Sequence, residues 1–158
     1  MICIRHRPHA EYCNRGVSGI DGSTSTAIGG ALKFRGETIL VTGDTSFAYD
    51  LSALQAMHTL GSEIKIAVIN NEGGGIFRFI PSTRGLPCID KYFCADPRTP
   101  IRGLCQAYGF VYLEADSERS LNEALNKFLS SPGPVILEIR TPSPRSAEIL
   151  KAALSNLP

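Results

Sequence analysis

The chain reads as an α/β protein of the three-layer α/β/α type, with a mainly parallel sheet between two helical layers. Three observations predict this. Short apolar runs recur at Thr38–Thr42, Ile64–Ile69, Phe110–Leu113 and Val135–Ile139, as in strands buried on both faces. Segments with helical spacing alternate with these runs, so the order is strand, helix, strand. Two of the runs end in polar tips, Gly43-Asp44-Thr45-Ser46 and Asn70-Asn71-Glu72-Gly73-Gly74-Gly75. Right-handed crossovers make successive strands parallel, so both tips emerge at one carboxyl edge, where open α/β sheets place ligands.

Composition bounds the function classes. With 158 residues, 43% hydrophobic and 20% charged, the chain can bury one real core. A net charge of +1, from 16 basic and 15 acidic residues, gives no case for a nucleic-acid partner or a membrane surface. The five cysteines are scattered without a C-x-x-C pair, so reduced thiols are expected rather than a disulfide framework or a zinc site. No apolar run approaches the roughly 20 residues of a membrane span and no signal peptide is visible, so the expected location is cytoplasmic.

Taken in order, residues 1–10 lack periodicity and read as an irregular leader, with His6 and His9 a solvated pair rather than metal ligands. Residues 11–158 read as one domain. Tyr12–Gly16 is expected as a short strand running into a loop, and Thr24–Phe34 as a small-residue helix lying close to a ligand or to another helix. After the Thr38–Thr42 strand, Leu51, Leu54, Met57 and Leu60 recur at helical spacing. One helix from Ser46 to Leu60 is therefore predicted, with Gly61 as its stop and His58 on its face. Residues 81–100 carry Pro, Gly and Ser without periodicity and read as a long loop. Arg78 and Arg84 beside it are candidates for acidic substrates or for a solvated or interface role. Ile101–Tyr108 is a helix stopped by Gly109. Asp116-Ser117-Glu118 resembles a capping box ahead of a helix over Arg119–Leu129. A last amphipathic helix follows Pro142-Ser143-Pro144 and runs through Leu154. Internal repeats are absent.

The two polar tips carry the chemistry. The Asp44 carboxylate and the Asn71 amide oxygen are hard donors beside a flexible glycine run, a set that suits a magnesium ion also holding phosphate oxygens. A helix beginning at Ser46 aims free N–H groups at the same place. Asp44 and Asn71 stand 27 positions apart, and Gly-Asp followed at this distance by Asn-Asn resembles the diphosphate-binding signature of thiamine-diphosphate enzymes. That resemblance implies a thiamine diphosphate cofactor and Mg2+, with Asp44 and Asn71 as side-chain ligands and the Gly73 carbonyl as a third. The turn Gly43-Asp44-Thr45-Ser46 would cradle the diphosphate, with Ser46 on its terminal phosphate. Many members have Gly where this chain has Thr45; the metal needs the Asp and the Asn rather than that glycine.

Two further blocks narrow the resemblance. Asn14-Arg15-Gly16-Val17-Ser18-Gly19-Ile20-Asp21-Gly22 and Asn71-Glu72-Gly73-Gly74-Gly75-Ile76-Phe77 are similar to blocks of the 2-succinyl-5-enolpyruvyl-6-hydroxy-3-cyclohexene-1-carboxylate synthase family of menaquinone biosynthesis. Tyr49-Asp50-Leu51 fits the same pattern. By this resemblance Ile20 props the cofactor in its bent form, and the backbone at Ser18 and Ile20 meets its aminopyrimidine. Arg15 takes a substrate carboxylate, and Ile76 and Phe77 wall the reactive ring. Read from the residues alone, Arg15 could equally form a surface ion pair and Ile76 and Phe77 could be ordinary core. The family reaction decarboxylates 2-oxoglutarate and adds the succinyl carbanion to isochorismate. It also needs a glutamate from a pyrimidine-binding domain, and no residue here matches it, Glu11, Glu37, Glu63 and Glu72 being poorly placed. The expectation is therefore the C-terminal diphosphate-binding domain of a larger enzyme, acting on small anionic substrates as a homodimer or homotetramer and holding no catalytic residue of its own. Two alternatives stay open. One is another thiamine-diphosphate decarboxylase or carboligase, such as an acetohydroxyacid synthase relative. The other is a non-catalytic phosphate-binding α/β module.

Overall fold

A computed structural model describes residues 12–13, 19–34, 36–83, 85–94, 98–141 and 143–155. The expected leader 1–10 lies outside these. Of the strand expected over Tyr12–Gly16, Tyr12 and Cys13 are described and are not in strand conformation, and the rest is outside.

Helix α1 (Ser23–Lys33) precedes strand β1 (Ile39–Gly43); helices α2 (Asp44–Tyr49) and α3 (Ser52–Thr59) lead to β2 (Lys65–Asn70). A 3-10 turn at Gly75–Arg78, α4 (Ile89–Tyr92) and α5 (Ile101–Tyr108) come before β3 (Val111–Ala115). The chain then runs through α6 (Glu118–Ser130), β4 (Val135–Arg140) and α7 (Ser143–Ser155). The four strands form one wholly parallel sheet in the order β1-β2-β4-β3, with Val41 opposite Ala67 and Ala67 opposite Leu137.

Side-chain alternation along β2 and β4 builds two cores, one on each face. Ile66, Val68 and Ile136 point to one side and pack with Ile28 of α1, Phe47 of α2, Leu54 and Met57 of α3, and Ile101 and Cys105 of α5. Ala67, Val135 and Leu137 point to the other and meet Ala124 and Phe128 of α6. Leu54, Met57, Ile66, Val68 and Leu137 are wholly buried, each such aliphatic contributing about 1.5–3 kcal/mol. On β1 only one face is covered. Leu40 and Thr42 face the first core, whereas Ile39 and Val41 on the other side are 42% and 67% exposed.

The single helix expected from Ser46 to Leu60 is two. The first starts earlier, at Asp44, and the chain breaks at Asp50, whose φ of −127° is not helical. Apolar spacing misses the break because Phe47, Ala53, Leu54 and Met57 all remain on the buried side. Asp50 is buried, and its carboxylate accepts the Ser25 N–H at 2.7 Å and Ser25 Oγ at 2.9 Å. It therefore serves the start of α1, whose own N-cap, Gly22, has no side chain to offer. The 81–100 loop contains the short α4. Helix α5 ends as expected, with Gly109 in the left-handed region at φ 71°. At α6 the N-cap is Ser117, and Ser120, not Glu118, completes the reciprocal capping box.

Candidate cofactor site

Strand β1 feeds directly into α2, so Asp44 is fixed one residue beyond the strand tip and is buried at 4% exposure. Its Oδ1 accepts from the Thr45 N–H at 2.8 Å and from Thr45 Oγ1 at 3.4 Å, while Oδ2 accepts the Gly73 N–H at 2.7 Å. The two polar tips are thus joined directly. A carboxylate has about four acceptor positions, so these bonds leave one lone-pair direction for a cation.

Asn71 lies just past the end of β2. Its Oδ1 is buried and has no hydrogen-bond partner among the described residues, a state that is costly unless something absent from the polypeptide satisfies it. The neighbouring glycines explain how it is held. A Cβ on Gly75 would stand 2.6 Å from Asn71 Nδ2, and one on Gly74 would stand 2.0 Å from the Phe93 carbonyl oxygen. The loop therefore passes between the Asn71 amide and the end of α4 at a separation only glycine permits. Cys94, buried, donates from Sγ to the Gly74 carbonyl at 3.3 Å, and the rings of Phe77 and Phe93 meet edge to face at 5.5 Å. Arg78 pairs with Asp90 of α4 at 2.6 Å, which gives this candidate a structural partner within the protein; Arg84 lies outside the described residues.

The remaining expected residues divide. Thr45 and Ser46 are half-buried in the first turn of α2, and Gly43 is exposed at the strand end. Since α2 has six residues, the diphosphate would meet local N–H groups rather than a long helix dipole. Ile76 is 65% exposed and projects from the loop, whereas Phe77 is half-buried against Phe93. Ile20 is exposed just upstream of α1. Arg15 and Ser18 lie outside the described residues.

Next to this site is a polar network that sequence reading missed. Glu138, in the middle of the β4 apolar run, is 4% exposed. It accepts from Asn70 Nδ2 at 2.7 Å and from Tyr112 Oη at 2.6 Å, and pairs with the Arg140 guanidinium, Nε at 3.4 Å. Burial, then the bond to Glu138, raises the Tyr112 phenol above its usual range. Burial and the Glu138 charge push the Cys105 thiol up to about 12. Arg140 and Arg102 both pair with Glu114, at 2.8 and 2.6 Å. A cleft of about 320 Å³ runs past Asp44, Asn70, Glu72, Tyr112 and Glu138. A larger one, about 540 Å³, opens at the opposite edge around Ser62, Lys65 and Gly133. There the Lys65 ammonium is already committed to Glu37 and to the Leu129 carbonyl, and the Asp44–Asn71 pair is at the other end of the sheet. The smaller cleft is therefore the one that borders Asp44. The one available signal for Glu138 was a lone carboxylate inside a strand buried on both faces.

A buried carboxylate, an orphaned amide oxygen and a loop backbone offer oxygen alone, which suits Mg2+: it takes few protein ligands and leaves positions for phosphate and water. Among the described residues no three His, Cys, Asp or Glu side chains gather as a metal cluster, and no helix is long and apolar enough to cross a membrane.

Over residues 2–139 the chain matches the thiamine pyrophosphate enzyme family, in its C-terminal TPP binding domain, and it belongs to that family. The fold is the expected one: a parallel sheet with helices on both faces, its carboxyl edge carrying the two polar tips. Within the family the chain is similar to 2-succinyl-5-enolpyruvyl-6-hydroxy-3-cyclohexene-1-carboxylate synthases. It is 42% identical over 146 residues to that of Flavobacterium psychrophilum, which covers 92% of the chain and 26% of the relative. It is 40% identical over 140 residues to that of Christiangramia forsetii (88% and 24%) and 40% identical over 148 residues to that of Porphyromonas gingivalis (93% and 26%). The chain therefore spans about a quarter of the length of these curated relatives.

Proposed function

We propose that residues 11–158 are the C-terminal diphosphate-binding domain of a longer thiamine-diphosphate- and magnesium-dependent synthase. In this reading the parent releases carbon dioxide from 2-oxoglutarate and joins the remaining four-carbon unit to isochorismate, in menaquinone biosynthesis. One observation carries the cofactor site: the Asp44 carboxylate, bonded to the Gly73 N–H, shares the carboxyl edge with a buried Asn71 Oδ1 that has no partner among the described residues. Asp44, Asn71 and the Gly73 carbonyl hold the magnesium; Gly43, Thr45 and Ser46 line the diphosphate. Thiamine diphosphate, when bound, supplies the electron sink for making and breaking carbon–carbon bonds.

The polypeptide's part is placement and exclusion of water. Ile76, already projecting from the loop, and Phe77 present an apolar wall to the reactive ring. Ile20 props the bend between the cofactor's two rings, with the Ser18 and Ile20 backbone against the aminopyrimidine. Arg15 receives a carboxylate of an anionic substrate. The activating glutamate comes from a pyrimidine-binding domain, contributed by a partner subunit in a cytoplasmic homodimer or homotetramer. Similarity to the named synthases, together with the Asn14–Gly22 and Asn71–Phe77 blocks, supports this reading over an acetohydroxyacid synthase relative.

Calorimetric titration of the chain with thiamine diphosphate, with and without Mg2+, tests the site. Heat that depends on magnesium and vanishes in Asp44→Ala is expected. Magnesium-independent heat, or heat unchanged by Asp44→Ala, overturns the assignment. The substrate assignment is tested separately in the full-length parent, where absence of turnover of 2-oxoglutarate with isochorismate would remove it.

A further inference from the structure

We propose that Glu138 is a positioning residue for the metal loop, acting through the Asn70 side chain to set the backbone of Glu72 and Gly73. The meaning of this for a metal rests on the function proposed above; the positioning itself does not.

Glu138 is a carboxylate buried in a central strand among Ile136, Leu137 and Ile139, and such a group persists only where it is fully bonded. The Glu138 Oε1 accepts here, and only the Nδ2 end of an amide can donate to it. The 2.7 Å contact with Asn70 therefore fixes which way that amide is turned, Nδ2 toward Glu138. The Asn70 Oδ1 is thereby left facing the loop, where it accepts the Glu72 N–H at 3.0 Å. Glu72 has φ 64°, a left-handed backbone that side-chain-bearing residues adopt only when held there. The next peptide sends the Gly73 N–H to Asp44 Oδ2 at 2.7 Å.

The relay is continuous: Glu138, the Asn70 amide, Glu72 N–H, Gly73 N–H, Asp44. Its far end is anchored twice more, by Tyr112 Oη at 2.6 Å to Glu138 and by the Thr141 N–H donating to the Asn70 carbonyl at 2.8 Å. Neither Glu138 nor Tyr112 needs to touch cofactor or substrate for this role. The loop glycines remove side-chain bulk near Asn71, and the relay decides where the loop backbone points.

Glu138→Gln keeps the shape and removes the obligate acceptor, so that Asn70 can turn over and drop the Glu72 N–H. Asn70→Asp, a second variant, loses the donor to Glu138. NMR hydrogen exchange on the metal-free chain is expected to show the Glu72 and Gly73 amides exchanging about tenfold faster in both variants, with Asn70 side-chain N–H resonances shifted in Glu138→Gln. The β2 and β4 core amides, such as Val68 and Leu137, should stay at wild-type rates. Tyr112→Phe, which leaves the Asn70 bond in place, should not move Glu72 or Gly73. Unchanged Glu72 and Gly73 exchange in both variants overturns the proposal, and so does a uniform rise across the core, which would make Glu138 merely structural. In the presence of thiamine diphosphate, Glu138→Gln should require about tenfold more Mg2+ for half-saturation. If the wild-type chain takes up no magnesium with thiamine diphosphate, the proposed function fails while the exchange result still decides the relay.

Discussion

Gly74→Ala puts a single methyl group where the structure has no room for it. The added Cβ would lie 2.0 Å from the Phe93 carbonyl oxygen, 3.0 Å from Cys94 Cα and 3.0 Å from the Phe93 carbonyl carbon. Ordinary contact needs roughly 3.5 Å, so one wall must retreat by more than about 1 Å. All three obstructing atoms are backbone, so no side-chain rotation can relieve the clash. Separating the loop from α4 would also strain the Cys94–Gly74 bond and the Phe77–Phe93 ring contact. Overpacking of this kind costs about 3 kcal/mol or somewhat more, which in a chain of this length lowers Tm by roughly 6–12 °C. The control is Gly29→Ala in α1, where the new Cβ meets nothing within 4 Å. That variant should gain about 0.5–1 kcal/mol from helix propensity and a stiffer unfolded chain. Thermal unfolding followed by circular dichroism reads both. If Gly74→Ala melts within about 1 °C of wild type, the loop is not held against α4 as described.

Two other outcomes follow from the same geometry. Asp50→Ala removes both bonds to Ser25 and should destabilise the chain by about 1–3 kcal/mol in urea unfolding, with Asp50→Asn milder because one acceptor remains; equal losses would mean the α1 cap is unimportant. The Cys105 thiol, pushed up to about 12 from 9.0, is a group whose folded pKa exceeds its unfolded one. Its neutral form therefore stabilises the fold below about pH 9, and that contribution is lost as pH climbs from about 9 toward about 12. Cys105→Ala should flatten this alkaline decline in urea midpoints, and a thiol reagent at pH 8 should label exposed Cys88 while sparing Cys105.

The sheet and the meeting of the two polar tips at one edge were legible because they depend on local pattern. Short apolar runs such as Ile64–Ile69, bounded by turn residues, read as strands buried on both faces, and parallel crossovers then bring Asp44 and Asn71 to one edge. Contacts made across long separations were not legible. Glu138 looks like an error in an apolar run until Asn70, 68 residues away, and Tyr112, 26 residues away, are folded onto it. The helix break at Asp50 was hidden for the same reason: its cause is Ser25, 25 residues upstream. Helix α4 escaped notice because one turn has no period to detect, yet Phe93 and Cys94 at its end are what make Gly74 obligatory.

Among the described residues strand β1 lies at the margin of the sheet, with Val41 uncovered on one face and no charged residue or proline anywhere in Ile39–Gly43. Natural sheets usually protect a margin with lysine, proline or a bulge. A chain prepared by itself therefore presents a neutral, aliphatic template to its own copies. Concentration-dependent aggregation in such preparations would begin there rather than at the glycine loop, and a lysine at position 41 is the conservative remedy when the domain is handled apart from any covering polypeptide.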